Sequence, residues 1–377
     1  MAHDRQATIS RRTELGVRNF RENIDGSDLT TRIAPCFGRV ETRQQALGYV
    51  AALRAEKGGQ RNGWQIARSI GDAAPWRTQR LLNRARWDAD AVRDVLRDYV
   101  VEQIGDPAAV VAVGELAMIK KGDASAGVAQ QFDTTTQRVQ NCQVGVFAAY
   151  ISRHGRALID RSLYLPQVWV NGQERRSRAG IPDGLGAASK PVLAAGMVRR
   201  ALAAGTPFAW VTGDAWHGCD ARLRRWLTGQ RLGYLLSVPA TQPLVLGRGL
   251  QVMAGALAGK ARSRCRELRL EPGGGSWATV QVELPGEGAA FGFEHVLLVR
   301  WGGREPQCHL AHAPERTPLP ELIRVLEARR ELRSCLNEAT EEAGLDGYEV
   351  RTWTAWHRHV TLALIAVAPG RRAEAVA

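Results

Sequence analysis

The sequence predicts an α/β protein in which a mixed sheet is preceded by an N-terminal helical region. Three observations predict it. Apolar runs rich in β-forming residues occupy 109–113, 142–151 and 157–163. After them helices and strands alternate: a helix at 191–204, a strand at 208–212, a helix at 220–227 and a strand at 234–238. Helical spacing of apolar residues runs through residues 42–101 and resumes beyond residue 319. Three strands followed by alternating helix and strand make one mixed α/β sheet.

Taken in chain order, residues 1–34 read as a flexible basic arm carrying Arg11, Arg12, Arg18 and Arg21. Residues 35–106 form a helical region with long amphipathic stretches at 44–56 and 89–101. Between them lie two short helices, 64–70 and 76–86, separated by Gly71-Asp72-Ala73-Ala74-Pro75. Two short helices about a tight turn fit a helix-turn-helix, with Arg77, Arg80, Arg84 and Arg86 on the second one suited to phosphates or base edges. The alternative is a plain helical bundle with a solvated arginine face. Residues 107–239 carry the first part of the sheet. Residues 240–312 turn to glycine-rich loops and β-patterned runs at 278–284 and 296–301, which read as a β-rich insertion. Residues 313–368 return to helix, at 319–343 and 354–367, and 369–377 form a basic tail with Arg371 and Arg372.

The chain has 377 residues, a formal net charge of +13, 45% hydrophobic residues and 24% charged residues. Its length suffices for a buried core divided among two or three domains. The positive charge points to a polyanionic partner, double-stranded DNA ahead of an anionic membrane. The opening stretch is too polar for a signal peptide, and the most apolar run, 360–368, is too short to span a bilayer. Cysteines 36, 142, 219, 265, 308 and 335 are widely spaced with no CxxC pair, as free thiols of a cytoplasmic protein would be.

Several segments resemble the DDE-type transposases of bacterial insertion sequences, specifically the insertion-sequence 701 group. They are NGWQIARSIGD, QRLLNRARWDADAVRDVLRDYV, KKGDASAGVAQQ, NCQVGVFAAY, ALIDRSLYLPQVW, AGIPDG, FAWVTGD and GLDGYEVRTWTAWHRHVTLAL, in this order along the chain. The resemblance implies an RNase H-like catalytic domain with a β-rich insertion ahead of the helix that bears the last acid. It also implies three carboxylates converging on two Mg²⁺ ions roughly 4 Å apart.

The acids of that resemblance fall unevenly on this chain. The first, expected shortly before Lys120-Lys121-Gly122, maps onto Gly114. The second maps onto Asp214 in Val211-Thr212-Gly213-Asp214. The helical signature Y-x2-R-x3-E-x6-K maps onto Leu326, Arg329, Arg333 and Thr340, so only Arg329 matches and the acid has become arginine. Glu115 lies beside Gly114, but consecutive strand residues face opposite sides. Glu338 and Glu342 lie far around the helix from Arg333. The Mg²⁺ expected of the family is therefore predicted to be lost, with no metal site. Arg329 and Arg333 stand one turn apart, where they can pair with Asp214 or clamp a phosphate or carboxylate.

Other clusters carry weaker expectations. His217 and Cys219 follow Asp214 closely, with Asp220 a natural N-cap. Cys308, His309 and His312 lack a fourth zinc ligand. His357 and His359 are placed to pack or to touch DNA, and residues 273–275 form a glycine loop tip. No charge is expected to interrupt a core strand. The leading reading is a transposase-like DNA-binding protein without two-metal strand cleavage that caps insertion-sequence ends, dimerises with active transposase or regulates transcription, with a homodimer as a further option. One alternative is an enzyme using the vacated pocket on a small anionic substrate, with Asp214, His217 or Glu115 in acid–base roles. Another is an active transposase with recruited acids.

Overall fold

The computed structural model describes residues 29–55, 62–261, 266–268, 275–303 and 305–369. Residues 1–28 of the N-terminal arm, Cys265, residues 273 and 274, Arg371 and Arg372 lie outside the described residues, whereas residues 29–34, read as part of the flexible arm, are helical.

The helical region holds α1 (Leu29–Ile33), α2 (Val40–Ala55), α3 (Gly63–Ser69), α4 (Trp76–Asn83) and α5 (Ala89–Ile104). Asn62 opens α3 with a reciprocal cap: its Oδ1 accepts from Gln65 N at 3.0 Å, and Gln65 Oε1 accepts from Asn62 N at 3.0 Å. The expected helix 76–86 stops at Asn83, so Arg84 terminates it and Arg86 lies beyond. The reason is tertiary. The Trp87 indole donates to Leu81 O at 2.8 Å, and Arg358 donates to Leu82 O at 3.2 Å and Trp87 O at 2.8 Å. These bonds satisfy the carbonyls of a last turn that would otherwise need another helical residue.

The sheet begins with β1 (Val110–Ile119), β2 (Ala129–Asp133), β3 (Arg138–Ser152) and β4 (Gly155–Leu163). Two short helices, α6 (Gln167–Val170) and α7 (Gln173–Arg178), precede α8 (Lys190–Ala203). Then come β5 (Trp210–Gly213), the single turn α9 (Ala215–Gly218), α10 (Ala221–Gly229) and β6 (Gly233–Val238). In space the order is β4-β3-β1-β5-β6, with β1 antiparallel to β3 and parallel to β5. Three antiparallel strands followed by two parallel ones joined by helices form the RNase H-like arrangement.

The segment read as an insertion contributes β7 (Pro243–Leu246) and β8 (Leu250–Met253), which pair with each other in a small sheet while Val245 of β7 also bridges to Glu283, and α11 (Ala254–Ala261). Its remaining strands, β9 (Arg266–Leu268), β10 (Gly275–Val282) and β11 (Phe293–Trp301), join β12 (Gln307–Pro314). These four strands extend the main sheet beyond β6 into one continuous ten-stranded sheet. Sequence periodicity did not expose β7, β8, α11 or β12, because glycine-rich runs and buried histidines blur the apolar pattern.

Helix α12 (Leu319–Ala343) ends at Gly344 in the left-handed region with φ 58° and is followed by α13 (Trp353–Ala366). Helix α12 lies on one face of β1 and β4, and α8 on the other. Helix α13 packs against α2, α4 and α5 as well as β4. A single apolar cluster therefore runs from Leu29 through Phe147, Tyr150 and Trp169 to Trp356 and Ala366, joining the helical region to the sheet. None of the described helices is long and apolar enough to cross a membrane.

Candidate functional site

Asp214 follows directly on β5 and caps α9: its Oδ1 accepts from Trp216 N at 3.0 Å and from His217 N at 3.4 Å. The same oxygen accepts from His217 Nδ1 at 2.7 Å, and the imidazole is buried beneath it with Nε2 left without a partner. Burial opposes ionisation of Asp214, but the hydrogen bond and charge of His217, with the charge of Arg329, outweigh it and hold the carboxyl below its ordinary range. The close contact of α9 with the sheet requires glycine at 218, where an added Cβ would stand 1.8 Å from Ser237 O.

Across the sheet from Asp214 lies Gly114, the position that the resemblance matches to the first acid. The ladder pairs Val110, Val111 and Ala112 of β1 with Trp210, Val211 and Thr212 of β5, which brings Gly114 level with Asp214 two residues on. A Cβ at Gly114 would point towards α12 and meet Leu332 Cδ2 at 2.8 Å. An apolar side chain thus fills the space a carboxylate would occupy. Glu115 faces the other way and forms a buried ion pair with Lys190 at the start of α8.

The helix signature residues part company in space. Leu326 is buried in the core. Arg329 donates to Ser237 Oγ, and Ser237 in turn meets His309 Nδ1 at 2.9 Å. Burial drives His309 to a pKa of about 3, aided by the charges of Arg329 and Arg300, so its neutral ring accepts the Ser237 hydroxyl proton. Arg333 is exposed and forms no ion pair among the described residues. The expected pairing of Asp214 with Arg329 or Arg333 is therefore not made. His217 takes that role instead, because α9 places its imidazole three residues from the carboxylate, within hydrogen-bond reach. Thr340 Oγ1 is buried without a partner, and Glu338 reaches outward to Arg156 on β4, as Glu331 does.

The basic residues divide likewise. Arg77, Arg80, Arg84 and Arg86 are all exposed, with Arg77 held to Asp72 at 3.1 Å. Trp64 and Trp76, at the starts of α3 and α4, are 60% and 73% exposed beside them. Lys121 is exposed, whereas Lys120 donates to Asp346 O at 3.3 Å and Tyr348 O at 3.2 Å and stacks 3.7 Å from the Tyr348 ring. Desolvation lowers the Lys120 pKa to about 8 despite Asp346 and Glu349. Lys120 is thereby a tie between β1 and the α12–α13 loop.

The histidine clusters are structural. His312 donates from Nδ1 to Leu232 O at 3.0 Å and accepts from Ala290 N at 3.1 Å, which uses both ring nitrogens. His359 is buried with Nδ1 2.8 Å from the Tyr49 hydroxyl. Asp220 caps α10 by accepting from Leu223 N at 2.8 Å. Among the described residues no three His, Cys, Asp or Glu side chains gather as a metal-holding group. The residues at Asp214 accordingly do not fit a two-Mg²⁺ centre, which needs several oxygen ligands.

One charged pair escaped the sequence reading. Asp160 and Arg161 sit mid-strand in β4 and are 4% and 2% exposed, so charge does interrupt a core strand. Two ionisable residues inside the apolar run ALIDRSLYL were the available signal.

An RNase H-like sheet with an aspartate closing its fourth core strand and a long helix over the first strand is the framework of DDE-type nucleases and transposases. The chain belongs to that group: the family model described as DDE superfamily endonuclease matches residues 32–290. No match is found among curated proteins. Among solved structures, the NurA nuclease from Sulfolobus solfataricus is similar at 10% identity, covering 68% of this chain and 80% of its own, with a TM-score of 0.26.

Proposed function

We propose that this protein is a duplex-DNA-binding member of the DDE superfamily that does not cut DNA by two-metal chemistry. The observation that carries this reading is Leu332 occupying the space of the first acid at Gly114, which leaves Asp214 alone among the triad positions. An acid introduced at Gly114 would meet that leucine, and the charge of Arg329 already acts on Asp214. Duplex binding is supported by the net charge of +13 and by the exposed arginines on and after α4, with Trp64 and Trp76 next to them.

Two measurements test the proposal. Fluorescence anisotropy with a duplex should show binding that weakens steeply with salt, and Arg80→Ala with Arg84→Ala should flatten that salt slope by about two counterions. Supercoiled plasmid incubated with Mg²⁺ or Mn²⁺ should stay intact. Nicking that disappears in Asp214→Ala would overturn the loss of cleavage, and salt-independent or absent duplex binding would overturn the DNA reading. Combining Gly114→Asp, Leu332→Ala and Arg333→Glu is expected to create Mn²⁺ binding that the parent lacks, as read by calorimetry.

A further inference from the structure

A cleft of about 500 Å³ lies away from Asp214, between the start of α5, strand β4, α8 and the start of α13. Its volume falls in the range of small-molecule sites, about 300–1,000 Å³. Arg93, Arg161, Arg200 and Arg358 line it, with apolar walls from Trp87, Leu185 and Trp353.

The arginines are not equally occupied. Arg358 is consumed by backbone carbonyls at the end of α4. Arg93 is shared among Asp90, Asp94 and Asp160. Arg161 is almost wholly enclosed; its Nε donates to Thr361 Oγ1 at 2.9 Å and its Nη1 to Asp90 at 2.7 Å. Its Nη2 is buried with no partner. Arg200 is partly exposed and uses Nε on Asp160 at 2.9 Å. Four guanidinium groups meet the carboxylates of Asp88, Asp90, Asp94 and Asp160 here, so the charges balance and the unused capacity is the Nη2 donor of Arg161. An unsatisfied donor on a buried cation is expensive, and burial already pulls Arg161 below its ordinary pKa against the pull of Asp90 and Asp160. His357, on the same wall, is driven to a pKa of about 3 by burial and the charge of Arg161, and so adds no charge.

We infer that this cleft binds a small organic oxyanion, a phosphate or carboxylate carried on a flat apolar ring, with Arg161 and Arg200 holding the anion and Trp353 facing the ring. The guanidinium edges supply planar, paired donors for an oxyanion. The Trp353 indole, itself 4.3 Å from the His357 ring, supplies a rigid apolar wall. The inference does not depend on the DNA-binding reading, since neither Arg80 nor Arg84 lines the cleft.

Phenyl phosphate and inorganic phosphate are the probes, titrated calorimetrically into the full chain. Phenyl phosphate should bind saturably at about 1:1, at least about tenfold tighter than inorganic phosphate, as expected when a ring adds apolar contact to a charged anchor. Arg200→Gln should weaken it at least about tenfold, the cost of one charge-assisted bond. Arg161→Met should abolish it. Asp214→Ala should leave it unchanged. Displacement of phenyl phosphate by a DNA duplex would assign the anion to a nucleic-acid phosphate, whereas simultaneous binding would assign it to a free ligand. Absence of saturable binding up to about 10 mM, or equal affinity in the parent and Arg200→Gln, would overturn the inference.

Discussion

The pocket around Gly114 and the cleft around Arg161 lie on one row of the sheet: Gly114 pairs with Phe147, and Phe147 with Arg161. Residues directly opposite one another on antiparallel strands share a face. On that row Gly114 meets Leu332 of α12, while Arg161 meets Thr361 of α13. At the first position, where the DDE resemblance calls for a carboxylate, this chain has apolar packing. At the second, where an inner strand position would ordinarily be apolar, it keeps a buried charge with an unused donor. Close packing fills the first position, whereas the second holds a buried cation with an unused donor, which is costly without a partner.

The sharpest test of the first half is Gly218→Ala. The added methyl collides with a backbone carbonyl of β6, so the α9 turn must shift, at an expected cost of about 3 kcal/mol. Urea unfolding checks it, and a change near zero would mean that the packing beneath Asp214 is loose. Next in size, Asp214→Ala should cost about 1–2 kcal/mol near neutral pH by removing the α9 cap and the partner of His217. The Asp214 carboxyl is held below its ordinary range, so its contribution is present above the unfolded value of about 4 and fades as the pH falls through the lower folded value. The parent and the variant should therefore converge in stability as the pH drops below about 4. A constant gap would assign the effect to something other than ionised Asp214.

The opposite sign is expected on the other side of the comparison. Arg161→Met removes an under-partnered buried cation while keeping similar volume, and should leave stability unchanged or raise it by about 1 kcal/mol. A loss of several kcal/mol would make Arg161 a structural residue. The smallest effect is expected for Glu338→Gln. Its bridge to Arg156 is about half exposed, so a change of no more than a few tenths of a kcal/mol should appear in thermal unfolding. A larger loss would mean that the acids of α12 anchor the helix to β4 more firmly than solvent-screened pairs do.

The sequence by itself determined the strand succession, the long helix 319–343 and the placement of Asp214 at a strand end, because periodicity and local turn chemistry act over a few residues. Only the tertiary structure decided that Leu332 packs over Gly114, that His217 rather than an arginine pairs with Asp214, and that β10–β12 prolong the main sheet. It alone brought Arg161, Arg200 and Trp353 to one cleft. Apart from the Asp214–His217 pair, which spans three residues, those outcomes rest on contacts between residues tens to hundreds of positions apart, whose energies depend on burial and partner geometry, and neither quantity is written in the local order of side chains.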